Sequence, residues 1–161
     1  TLKGLLSQDN VKQKFQEILR DRASSFTANL AVIVNNSESL SKCEPMTIVS
    51  AAVISASLGL ELDPNLGYAA IVPFGNKATF QIQYNGYKQL AIRSGQYKRI
   101  EWCRVFESDT DEDVKTRLTS IIKKDKNEPV VGYAQYFILK SGYESLFYMS
   151  VEELKKKGIK Y

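Results

Sequence analysis

A chain of 161 residues is long enough to bury one sizeable core, and its composition, 43% hydrophobic and 25% charged, is ordinary for a soluble globular protein. No apolar run approaches the roughly 20 residues that a membrane helix needs, and no signal-peptide pattern opens the chain. Histidine is absent, which removes the commonest general base, the Ser-His and Cys-His nucleophile systems and the commonest zinc ligand. The net charge of +4 is compatible with a polyanionic partner without demanding one. Thr1 is not a natural initiator, so the start is expected to have been trimmed. Cys43 and Cys103 lie far apart with no metal spacing and read as reduced, half-buried residues of a cytosolic protein.

The first third reads as helical, residues 1–60 in all. Asp9 or Asn10 is placed to cap a helix whose stripe is Val11, Phe15, Ile18 and Leu19. Phe26, Leu30, Ile33 and Val34 continue it after a kink expected near 23–25, and Asn35, Asn36 and Ser37 end it. Pro45 suits the first turn of a second helix over 46–58, with Gly59 as its stop. That helix carries small residues (Ser50, Ala51, Ala52, Ser55, Ala56) nearly all round, which suits close packing.

The period then changes, and residues 67–150 read as hairpin, helix and sheet. Runs 68–74 and 78–84 are strand-like, joined by Gly75, Asn76 and Lys77. Alternation in the second run puts Phe80, Ile82 and Tyr84 on the core face, and Thr79, Gln81 and Gln83 on the other. Asn85 is expected to cap a helix over 86–94 with Tyr87, Leu90 and Ala91 as its apolar positions. A strand over 97–106 follows. The acidic run 107–113 is expected to be a solvated loop, 114–122 a strand or a helix, and 123–128 a charged turn. A second hairpin spans 130–139 and 143–149. Ser150 with Glu153 is a capping box for a last helix that breaks at Gly158, and its lysines, with Lys160, suit a helix end or a solvated tail. Strands clustered together beside helices predict one α+β domain, an antiparallel sheet with helices packed to one side.

No phosphate loop of the form G-x-x-x-x-G-K-[ST] occurs, so nucleotide-driven action is not expected to be intrinsic to the chain. Between Lys77 and Arg104 the basic residues are Lys77, Lys88, Arg93, Lys98, Arg99 and Arg104, against one acid, Glu101. Phe80, Tyr84, Tyr87, Tyr97 and Trp102 are interleaved, with Phe80 and Trp102 the best core candidates. Cations contact phosphates, and aromatic faces stack on unpaired bases. Amides such as Gln81, Gln83, Asn85 and Gln89 bond to phosphate, sugar or base edges. The competing reading is that the aromatics are core and the charges a solvated face. Two other function classes stay open. One is a metal-dependent nuclease using Asp109, Asp111 and Asp113; the other is a structural, self-assembling protein.

Several stretches resemble the RecT family of phage and prophage single-strand annealing proteins. They are Leu2-Lys-Gly-Leu-Leu-Ser7, Lys42-Cys-Glu-Pro-Met-Thr-Ile-Val-Ser-Ala-Ala52, Leu58-Gly-Leu-Glu-Leu-Asp-Pro-Asn-Leu-Gly67, Ala70-Ile-Val-Pro-Phe74 and the run from Phe80 to Gly95. Val131-Gly-Tyr-Ala-Gln-Tyr-Phe137 and Tyr148-Met-Ser-Val-Glu-Glu153 complete the set, in the family's order. The resemblance implies a homo-oligomer, ring or helical filament, that coats single-stranded DNA. It implies passage through an annealed duplex intermediate with no nucleotide hydrolysis and no cofactor, beside a phage exonuclease in the bacterial cytoplasm. It also implies a twisted antiparallel sheet with a packing helix, as in eukaryotic single-strand annealing proteins, and a basic groove for DNA. In that groove Lys77, Lys88, Arg93, Lys98, Arg99 and Arg104 would supply charge, and Gln81, Gln83, Tyr84, Asn85, Tyr87 and Gln89 would meet bases, sugars or phosphates. The helix over 50–58 and the N-terminal helices would serve core and subunit contacts. Family members run on past the final helix, so a further C-terminal segment is expected.

Overall fold

In a computed structural model, residues 1–120 and 126–158 are described. They form the α+β fold expected, with the strands distributed over two antiparallel sheets, β1-β2 and β3-β4-β5. The chain divides into two compact units, Thr1–Arg93 and Ser94–Tyr161.

The first unit opens with α1 (Leu2–Leu6), α2 (Asp9–Leu19) and α3 (Ala23–Asn35). The cap of α2 is Gln8, and neither Asp9 nor Asn10; both acids-or-amides sit inside the first turn, where Asn10 Oδ1 accepts from the next backbone N–H, that of Val11. The expected kink is real but earlier: a 3₁₀ turn, Arg20–Arg22, separates α2 from α3, and Arg20 has φ 52°. Ser37 does not simply end α3. Its hydroxyl accepts from Leu40 N at 3.3 Å and starts a short α4 (Glu38–Ser41). The next helix, α5 (Pro45–Ser57), has its proline in the first turn, and Gly59 beyond it adopts φ 60°. Its small face packs inward: Ala51, Ala52, Ser55 and Ala56 are all buried, and the Ser55 hydroxyl donates to Leu60 O at 2.7 Å. Phe15 and Phe26 meet at 5.8 Å between ring centres in the same cluster, which extends through Leu30 and Ile48 to Ala69, Ile71 and Ala78.

Strands β1 (Ala69–Phe74) and β2 (Lys77–Ile82) pair from Ala69↔Ile82 to Phe74↔Lys77. Lys77 is thus the first residue of β2, and the loop proper is Gly75-Asn76. Gly75 has φ 59°, which a type II′ turn requires at its first central position. Pro73 is tolerated because a two-stranded sheet consists of edges only. The hairpin is tied to the start of α5: Ala78 N donates to Thr47 Oγ1 at 2.9 Å, and Glu44 N to Asn76 O at 2.7 Å. After β2 comes α6 (Tyr84–Arg93).

The second unit contains β3 (Tyr97–Phe106), α7 (Asp111–Thr119), β4 (Val130–Leu139), β5 (Glu144–Ser150) and α8 (Val151–Gly158). Cys103, Val105, Ala134 and Leu118 form its small core, with Val114 and Tyr136 beside it. Both cysteines are free and more deeply buried than expected. The capping box at Ser150 and Glu153 forms in both directions, at 2.9 and 3.2 Å. The acidic run is not a solvated loop. Thr110 and Asp113 make a capping box, Asp111, Glu112 and Asp113 fill the first turn of α7, and the Asp109 side chain is completely buried. The expectation for 114–122 resolves as helix to Thr119. Ile121, Ile122, the part of the charged turn over 123–125, and Lys160 lie outside the described residues.

Candidate nucleic-acid interface

The exposed side chains proposed from sequence sit on a scaffold fixed by a close backbone contact. A Cβ added to Gly86 would lie 2.0 Å from Tyr68 O, so α6 presses its bare backbone onto the segment leading into β1. Tyr68 O also accepts from Gln83 N at 3.0 Å, one rung beyond β2 in the hairpin register, and Gly86 N and Tyr87 N then donate to Gln83 O at 2.9 and 3.2 Å, which turns the chain into α6. The strand therefore stops at Ile82. Tyr84, which alternation puts on the core face, instead opens the helix and is 60% exposed. Tyr87, expected among the apolar contacts of α6, is 63% exposed. The buried side of α6 is formed by Gly86 and the partly buried Leu90.

Asn85 is not a helix cap. It lies within α6, and its Nδ2 donates to Leu66 O at 2.9 Å. Gln89 Nε2 donates to the Tyr68 hydroxyl at 3.3 Å. Arg93 donates to Leu58 O at 2.7 Å and to Gly59 O at 3.3 Å, placing its cation at the negative end of α5. Three residues expected to meet nucleic acid thus hold α6 against the 58–68 segment. Tyr84 and Tyr87 are exposed, with the half-buried Lys88 beside them, related by i, i+3 and i, i+4 spacing and so on one side of the helix. Partial burial of its hydroxyl pushes the Tyr84 phenol up from its ordinary pKa. On the hairpin, Lys77, Thr79 and Gln81 alternate onto the face away from the core, and Gln83 is exposed just beyond it.

The remaining basic residues belong to the second unit. Lys98 is the extra residue of a β-bulge and is exposed. Arg99 is half-buried; it donates to Thr119 O at 2.7 Å and Leu118 O at 3.3 Å, capping α7, and lies 3.6 Å from Glu101. Arg104 is exposed, on the sheet face opposite the Cys103 and Val105 cluster. Strand register puts Trp102, Tyr133 and Phe147 on that face too, the last two 48% and 53% exposed. Tyr133 and Phe147 are absent from the sequence-based set, although period-two alternation in β4 and β5 was the signal that identifies them.

Of the three carboxylates considered for metal chemistry, Asp109 and Asp113 are engaged within the fold. Asp109 accepts from both Arg117 guanidinium nitrogens, at 2.7 and 2.8 Å, from Phe106 N at 2.7 Å, and lies 2.9 Å from Lys126 Nζ. Arg117 also donates to Arg104 O at 2.7 Å and lies 5.0 Å above the Phe106 ring. The bonds from Arg117 hold the Asp109 carboxyl well below the usual carboxylate range, and the same bonds push Arg117 up. Asp113 is lowered by its hydrogen bonds from Thr110. Among the described residues no three His, Cys, Asp or Glu side chains are grouped so as to hold a metal ion, and no helix is long and apolar enough to cross a membrane.

Comparison with known proteins agrees with the resemblance read from the motifs. The RecT family profile matches residues 24–161. Uncharacterized protein YqaK of Bacillus subtilis (strain 168) is 41% identical over 162 residues, covering 98% of this chain and 57% of that protein. Protein RecT of Escherichia coli (strain K12) is 40% identical over 78 residues, covering 44% of this chain and 29% of that protein. The chain thus spans little more than half the length of the first relative and less than a third of the second is matched. With the family profile covering most of its residues, the chain belongs to the RecT family.

Proposed function

We propose that this chain binds single-stranded DNA and pairs it with a complementary strand, through an annealed duplex intermediate and without nucleotide hydrolysis. It acts as a homo-oligomer, in the cytoplasm of a bacterial host, on single strands exposed by a phage exonuclease. The observation that carries the reading is the outward side of α6, where Tyr84 and Tyr87 stand 60% and 63% exposed beside Lys88 on a helix locked down along its other side. Two phenol rings, each more than half exposed, at one helical turn's spacing offer stacking surfaces to unpaired bases, each worth roughly 1–3 kcal/mol, and a neighbouring ammonium suits the phosphate between them. Nothing in this arrangement forks toward a particular base edge, which favours binding with little sequence preference.

The test is annealing of two complementary fluorescent oligonucleotides, added in succession without ATP over a series of salt concentrations. Pairing faster than in protein-free controls, and fading as salt rises, is expected. The double substitution Tyr84→Ala and Tyr87→Ala should remove most of the acceleration while leaving the helical circular dichroism unchanged. Wild-type protein that accelerates nothing at any salt would overturn the reading.

A further inference from the structure

The apex of the β1-β2 hairpin carries the most exposed large hydrophobic side chain among the described residues: Phe74, at 66%. Its strand partner is Lys77, so ring and ammonium share the face turned away from the core. The apex is open at Gly75, where an added Cβ would meet nothing within 4 Å. It is nevertheless rigid. Asn76 O accepts from Glu44 N at 2.7 Å, and Ala78 N donates to Thr47 Oγ1 at 2.9 Å. Thr47 Oγ1 in turn donates to Glu44 O at 2.6 Å. The start of α5 therefore holds the turn and the beginning of β2, so the backbone that presents the phenyl ring is fixed before binding.

What lies behind the ring identifies the ligand. Along the same face the next cross-strand pairs are Val72↔Thr79 and Ala70↔Gln81, and the chain then passes Gln83 to reach Tyr84. This lane is uncharged after Lys77: β1 contributes the half-buried Val72 and Ala70, and β2 contributes the hydrogen-bonding Thr79 and Gln81, which break up any continuous apolar patch of the kind a protein partner covers. From Lys77 to Gln81 is about 13 Å at ~3.3 Å per residue, long enough to lie beside more than one nucleotide. We propose that Phe74 is a base-stacking residue: a single strand laid along the outer face of the hairpin sets one unpaired base on the Phe74 ring and the adjoining phosphate on Lys77. The inference rests on the DNA-binding reading above and adds to it a second stacking position, on a different element from Tyr84 and Tyr87.

The experiment measures binding of a fluorescent single-stranded oligonucleotide, and of the matching blunt duplex, to full-length wild type and to Phe74→Ala, Phe74→Leu and Phe74→Trp. Because the ring is exposed, all three variants should keep the wild-type circular dichroism. Loss of one stack should weaken single-strand binding roughly 5- to 100-fold in Phe74→Ala, with the slope of log affinity against log salt unchanged because no charge is removed. Phe74→Leu should stay weak and Phe74→Trp should match or exceed wild type. Duplex binding should be much less affected, since only the terminal pairs of a blunt duplex offer a free face. Single-strand affinity unchanged in Phe74→Ala, full recovery in Phe74→Leu, or equal losses for single strand and duplex would each overturn the proposal while the Tyr84 and Tyr87 reading stands. Wild type that binds no single strand would overturn both.

Discussion

In the unit Thr1–Arg93, helices and hairpin close over a continuous apolar cluster that runs from Val11 to Ala78 and includes Phe15, Leu30, Ile48 and Leu60 at 1% exposure or less. In the unit that follows, the buried apolar cluster is Cys103, Val105, Leu118 and Ala134, and the largest investment is ionic: Asp109, Arg117 and Lys126 beneath the start of α7. Apolar burial is non-directional and forgiving of small repacking. A buried carboxylate is tolerated only while every one of its partners stays in place, because its desolvation is otherwise uncompensated. The two units should therefore fail in different ways, and the single tryptophan, Trp102 on β3, offers a probe that follows the second while helical circular dichroism follows mainly the first.

The sharpest test removes the ionic anchor. Asp109→Ala leaves Arg117 buried without its counter-charge and should cost about 3–5 kcal/mol, read as a lower urea midpoint in Trp102 emission. An unchanged midpoint would break the contrast. Next in size, Leu30→Ala opens a cavity in the apolar cluster and should cost about 2–5 kcal/mol, appearing first in the helical signal. Both probes shifting together in both variants would mean that the units share one transition. Acid should act on the second unit selectively. The folded Asp109 carboxyl is held below its unfolded value near 4, so its contribution is complete above that pH and is lost progressively as pH falls beneath it. Trp102 emission should accordingly change at less acid conditions than the helical signal. The smallest effect belongs to Arg93→Ala, which uncaps the exposed end of α5 at a cost of at most about 1 kcal/mol. Lys88→Ala should lower the salt slope of DNA binding by about one unit.

Where the sequence was legible, local rules decided the outcome. Pro45 and Gly59 bracket α5 within a residue or so, and the turn at Gly75-Asn76 fixes the hairpin register. Misreadings arose where a distant partner outvoted the local pattern. Alternation runs unbroken through Tyr84, and only the close approach of Gly86 to the Tyr68 carbonyl, eighteen residues back, shows why a helix takes over after Ile82. The run 107–113 looks solvated by charge count, yet Arg117 and Lys126 draw Asp109 inside. Its Thr110-x-x-Asp113 spacing was a readable helix start that the charge count obscured. The same logic divides the candidate site. Sequence identified the cations and amides, but not that Asn85, Gln89, Arg93 and Arg99 would be engaged by carbonyls and a hydroxyl of the fold itself.

The two native thiols have a practical consequence. Cys43 and Cys103 are 4% and 6% exposed, each packed within a different unit's core. A maleimide reagent under native conditions should find neither. A cysteine introduced on the open face of the hairpin, by Gln81→Cys for example, would then be the sole accessible attachment point, so a single dye could be placed beside the proposed path of the strand with no native residue removed from the interior.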